Sequence, residues 1–173
     1  DITLVVVTHT HGDHVQGILK DNGQAAFPNA TYVISQPELV FWQGRIQAGM
    51  AGHSQLLDTM KAQGLRVIAP DEQIMPGLTA VPIPGHTPGQ IALVLESEGE
   101  KLIHLADLLH SPMQFAHPEW SPAFDTDTSV SVPTRRAALA RAADEAMLAL
   151  FYHLTFPGVG HVRRAGQAFM WET

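Results

Sequence analysis

The chain has 173 residues, 45% of them apolar and 16% charged, enough to bury one core and too apolar for a disordered chain. Seventeen Asp and Glu against ten Lys and Arg give a net charge of −7, the reverse of the basic excess that a nucleic-acid binder carries. Cysteine is absent, which excludes disulfides, thiolate metal sites and a cysteine nucleophile.

In chain order, Ile2 to Val7 is β-branched and almost continuously apolar, the pattern of a central strand buried on both faces. A central strand needs neighbours on both sides, so the sequence is expected to lack preceding strands. Thr31 to Ile34 is a short strand, and Gln36-Pro37-Glu38 opens a helix with proline where its missing N–H costs nothing. A second helix runs from His53 to Gln63, with Leu56, Leu57 and Met60 at helical spacing and Gly64 as its stop. Strands are expected at 65–69, 78–83, 90–96 and 101–106, the last two joined by the turn Ser97 to Glu100. A long, functional loop is expected from Leu108 to Val132. The longest helix is expected over Pro133 to Leu150, and strands over 151–155 and 168–171. Alternating strands and helices define an α/β or layered α+β class, and no linker divides the chain, so residues 1–173 are expected to form a single domain. No apolar run has the length of a membrane span or a signal peptide. The lack of cysteine fits cytoplasm and periplasm equally, so the compartment stays open.

Ten histidines equal Lys and Arg combined, and three of them fall within His9-x-His11-x-Asp13-His14. Side chains two apart at a strand end share a face, and a turn at Gly12 can swing Asp13 and His14 toward a neighbouring point. Such a density of imidazole and carboxylate is the habit of a metal site. Three further segments repeat the theme of a strand end followed by a ligand-bearing turn. They are Gly85-His86-Thr87-Pro88-Gly89, Leu102 to Asp107, and Phe156-Pro157-Gly158-Val159-Gly160-His161. Taken singly, Asp107 reads as a helix cap and His86 and His161 as turn residues. Taken together, five His and two Asp at strand ends match a dinuclear zinc site.

These motifs resemble those of the metallo-β-lactamase-fold hydrolases: HxHxDH at His9 to His14, GHTPG at 85–89, Asp107 as the bridging carboxylate and His161 as the last histidine. The resemblance implies an αβ/βα sandwich, here missing several first-half strands. It implies His9, His11 and His86 on one metal and Asp13, His14 and His161 on the other, with Asp107 bridging. The segments around Phe156 to Val162 and Leu109 to Asp127 are similar to the branch containing methyl parathion hydrolase and related lactonases. Ala106 stands where the family often has glycine.

Imidazole and carboxylate ligands suit Zn²⁺, with Fe, Mn or Co as other divalent choices. Two such ions share a water, lower its pKa and present a bridging hydroxide to an electrophilic carbonyl or phosphoryl centre. Asp13 and Asp107 are therefore the expected catalytic carboxylates. The expected function is hydrolysis of a small ester-like substrate: a lactone, aryl ester or phosphotriester. A thioester hydrolase of the glyoxalase II type is the alternative, although the basic C-terminal helical domain usual for that type is not in this sequence. The other is a non-catalytic metal-binding fragment that pairs through exposed strands as a homodimer. His110, three residues after Asp107, and Phe156 are candidate substrate contacts. Asp125, Asp127 and Arg135 read as loop-orienting or salt-bridging groups, and His153 as a packing or supporting residue. No nucleic-acid or membrane partner is expected.

Overall fold

The computed structural model describes residues 1–49 and 53–173. Two compact units are present, residues 1–69 and 70–173, and each has its own apolar core.

The first unit is a three-stranded parallel sheet, in the order β1 (Leu4–Val7), β2 (Thr31–Ser35), β3 (Leu65–Ile68). Short α1 (Gly12–Val15) follows β1, and α2 (Gln36–Gln47) and α3 (Ser54–Gln63) carry the chain from β2 to β3. Parallel neighbours require such a crossover. Ser35 caps α2 by accepting from Glu38 N, with Pro37 in the first turn. Gly64, at φ 105°, ends α3 as expected from the sequence. Tyr32, Ile34, Trp42, Leu57 and Met60 are buried in this core. Among the described residues β1 pairs with β2, and Leu4, Val5 and Val6 are half-buried while Val7 is buried.

The second unit is a seven-stranded sheet in the order β10-β9-β8-β7-β6-β5-β4. Its strands are β4 (Gln73–Met75), β5 (Leu78–Pro82), β6 (Ile91–Ser97), β7 (Glu100–His104), β8 (Leu148–Leu150), β9 (Val159–Ala165) and β10 (Ala168–Glu172). All pairs are antiparallel except β7 with β8. Those two are joined through α4 (Met113–Ala116) and α5 (Thr128–Asp144). Ala138, Leu139 and Ala142 of α5 enter one buried cluster with Ile103, Leu105, Met147 and Phe151. Burying Leu139 fully contributes roughly 1.5–3 kcal/mol.

The longest helix differs from expectation at both ends. Asp127 caps it by accepting from Ser129 N and Oγ, so it starts five residues before Pro133, which lies inside it. It stops at Asp144, and Leu148–Leu150 becomes β8 between β7 and β9. Residues 151–155, expected as a strand, form turns, whereas Val159 to His161, expected in a Gly-rich turn over 156–161, are the start of β9. Pairing partners decided these segments: Leu148 sits between Leu102 and His161 and Leu150 between His104 and Val159, a non-local fact that helical spacing does not contain. The 108–132 connection includes α4 and the first turn of α5. Among the described residues, no helix is long and apolar enough to cross a membrane.

Candidate metal centre

In the first unit the chain leaves β1 at Val7 and turns sharply. Thr8, His9 and Thr10 are buried. His11 is extended, at φ −70° and ψ 152°, and α1 begins at Gly12. This brings the motif's imidazoles together. The His9 and His11 rings meet edge to face at 4.9 Å, and those of His9 and His14 at 4.1 Å. Asp13 Oδ2 lies 3.4 Å from His14 Nε2. The bend is fixed from behind by Glu38, which is fully buried. Its Oε1 accepts from Thr10 N at 2.8 Å and from Thr10 Oγ1 at 2.7 Å. The sequence reading missed Glu38. Its only local signal was an acidic residue in the first turn of α2, where the helix dipole alone explains it.

In the second unit, His86, Asp107, His110 and His153 converge. One carboxylate oxygen, Asp107 Oδ2, lies 3.3 Å from His86 Nε2, 3.2 Å from His110 Nε2 and 3.1 Å from His153 Nε2. The His110 ring stacks on that of His153 at 4.8 Å, and Phe124 meets the His110 edge at 4.7 Å. Asp107 is buried and reaches this point three residues past β7. The residue before it, Ala106, is buried at φ 43°, a left-handed conformation that glycine adopts more easily. His153 likewise lies three residues past β8. Because β7 and β8 are parallel in the register Leu102 to Leu148, the same 46-residue offset relates Asp107 to His153.

The turn bearing His86 is equally constrained. Gly85 has φ 127°, and a Cβ there would stand 2.3 Å from Ser131 Cα, so only glycine fits against α5. Thr126 donates from N and Oγ1 to the His86 carbonyl, and Asp127 N donates to that of Gly85. His86 Nδ1 lies 2.9 Å from Asp125 Oδ1, while Asp125 Oδ2 accepts from Ser131 Oγ and Arg135 Nη2. Burial disfavours the Asp125 carboxylate. Hydrogen bonds from His86 and Ser131 and the charges of Arg135 and His86 outweigh it, bringing its pKa down to about 2. Burial also opposes a charged His86, but the hydrogen bonds and charges of Asp107 and Asp125 raise its pKa overall. Asp125 and Arg135 were read from the sequence only as loop-orienting or salt-bridging groups.

Two other residues expected at the site are His161 and Phe156. His161 is on β9, opposite Leu148 and Glu172, with Nδ1 3.2 Å from the Met147 carbonyl oxygen. Phe156 is 95% exposed. His53 opens α3 and its Nδ1 accepts from Trp42 Nε1. His117 stacks on Trp120 beside Glu119.

Clustered imidazoles and carboxylates without thiolate, at strand ends of a mixed α/β fold, are a donor set suited to divalent metal ions. Residues 1–153 match the model of the Metallo-beta-lactamase superfamily, and the chain belongs to that family. An N-acyl homoserine lactonase of Bacillus cereus is 24% identical over 133 residues, 76% of this chain and 48% of the relative. The solved structure of AidC, a dizinc quorum-quenching lactonase, superposes with a TM-score of 0.86 at 30% identity, over 99% of this chain and 64% of AidC. The hydrolase AbOPH of the beta lactamase superfamily gives 0.84 at 32% identity, over 98% of this chain and 63% of that one. The chain thus spans about half the length of the curated lactonase and under two thirds of these two structures.

Proposed function

We propose that this protein is a dinuclear metallohydrolase that opens lactones, with N-acyl homoserine lactones as the substrate class and other small esters and phosphotriesters as weaker ones. The observation that carries the reading is the single Asp107 oxygen within 3.3 Å of three imidazole nitrogens. Imidazole nitrogens gathered around one buried carboxylate are the donor types and the spacing that a divalent-metal site uses. Family membership and the lactonase relatives support the chemistry.

On this reading residues 1–173 belong to one metallo-β-lactamase-like domain, of which the family model matches residues 1–153. His9, His11 and His86 hold one divalent ion, and Asp13, His14 and His153 the other, with Asp107 shared. His153 takes the role that the sequence motif assigned to His161. The donor set suits Zn²⁺ first, with Fe, Mn and Co as alternatives. When bound, two such ions supply an activated water and a Lewis-acidic centre for the scissile carbonyl. The protein's own residues fix the ligands: Asp125 sets which His86 nitrogen faces the metal, and Glu38 holds the backbone between His9 and His11. His110, beside Asp107 and Phe124, is placed to contact the substrate oxygen that gains charge.

The test is metal analysis together with a hydrolysis panel of lactones, aryl esters and phosphotriesters. Near two metals per chain with preferential lactone opening, abolished by chelator, is the expected result. Two bound metals with no hydrolysis of any panel member would overturn it.

A further inference from the structure

Arg135 is a buried charge of the second unit, 1% exposed on α5. It touches no metal ligand directly. Its guanidinium instead makes five hydrogen bonds in two directions. Nε donates to the Leu108 carbonyl at 2.8 Å, and Nη1 donates to the carbonyls of Pro118 and Trp120 and to Ser121 Oγ at 2.9, 3.1 and 3.2 Å. Nη2 donates to Asp125 Oδ2 at 3.0 Å, and Asp125 Oδ1 meets His86 Nδ1. The loop it grips, 108–125, carries His110 and ends at Phe124 and Asp125. A planar fork of five donors can hold three carbonyls and a carboxylate at fixed angles, and a lysine ammonium cannot. The carboxylate behind a ligating imidazole sets its tautomer and orientation. Asp125 has no freedom to turn, because Ser131 and Arg135 both hold its second oxygen.

We propose that Arg135 is a positioning residue for metal retention: it clamps loop 108–125 and, by way of Asp125, aims His86 at its metal. This rests on the dinuclear reading above. The clamp gives one buried side chain control over both the metal ligand and the loop that borders it. An arginine serving only to stabilise the fold would lower thermal stability without altering how firmly a correctly folded chain keeps its metal.

The test compares metal release to a chelator in the purified, metal-loaded wild type, Arg135→Lys, Asp125→Asn and the double variant, with metal content and thermal midpoint measured alongside. In Arg135→Lys one of the two metal equivalents is expected to leave roughly 10–100-fold faster. The double variant is expected to lose it no faster than Asp125→Asn alone, because both changes break one chain of contacts. Release at the wild-type rate in Arg135→Lys, or multiplied effects in the double variant, would overturn the positioning role. Should Arg135→Lys fail to fold, Ser131→Ala leaves the guanidinium in place and removes one restraint on Asp125. It is expected to speed release less than Asp125→Asn does, and unchanged release in both would count against the proposal. A folded wild type that takes up no metal would overturn the dinuclear reading and this role with it, whereas two metals and unaltered release would remove only the role of Arg135.

Discussion

The two units build their clusters of candidate ligands in opposite ways. In the first, all candidate ligands lie in six consecutive residues at the end of β1, and one buried carboxylate, Glu38, fixes the bend through Thr10. In the second, His86, Asp107 and His153 come from three separate segments, and their meeting depends on strand register and on the Asp125–Arg135 pair. A local cluster needs only a turn to bring its members together. A dispersed one needs the whole sheet, so it is expected to be the more fragile to changes far from the ligands.

The sharpest way to break this contrast is Asp107→Asn. It removes the negative charge shared by three imidazoles, and metal content is expected to fall from near two to below one per chain on the dinuclear reading. Lactone hydrolysis should drop by more than the roughly 100-fold set by losing an outer partner alone. Next in size is the pair His153→Ala and His161→Ala. Metal titration should show at least ~10-fold weaker binding for the first and wild-type binding for the second, and the reverse order would return the last ligand to His161. Glu38→Ala leaves two Thr10 donors facing a buried gap, and urea denaturation should read a loss of about 2–3 kcal/mol. The local cluster would then prove less self-sufficient than its spacing suggests.

The acid limb separates the two units further. Asp125 has its pKa depressed from 3.8 to about 2. It therefore stabilises the folded state fully above pH ~4, and that contribution, about 2 kcal/mol, is lost as pH falls toward 2. Comparing wild type with Asp125→Asn between pH 5 and 2.5 in denaturant should show the slope only in the wild type. A matching slope in the variant would assign the acid limb to other carboxylates. The smallest effect is expected for Phe156→Ala: its ring is 95% exposed, so stability should change by less than about 0.5 kcal/mol. A clear rise in KM with unchanged stability would restore Phe156 as a substrate contact.

Much of this was legible in the residues. The HxHxDH and GHTPG segments show metal-ligating chemistry because their spacing is local, the hydrolase fold follows from their resemblance to the family, and the caps and stops of α2 and α3 are short-range signals too. His153 was hidden by one misplaced boundary. Reading 133–150 as helix put a strand over 151–155 and buried His153 inside it, whereas the β8 register sets it level with Asp107. With helix and strand boundaries corrected there, the pattern already visible at Asp107, a candidate ligand three residues beyond a strand, points to His153.

What the sequence determined by itself was the chemistry available: imidazoles and carboxylates at strand ends, no thiolate, and glycines where the backbone turns. Tertiary structure alone decided which of those groups share a carboxylate. It also decided that Glu38, Asp125 and Arg135 hold them, because parallel register and the burial of a charge pair depend on contacts between residues tens of positions apart.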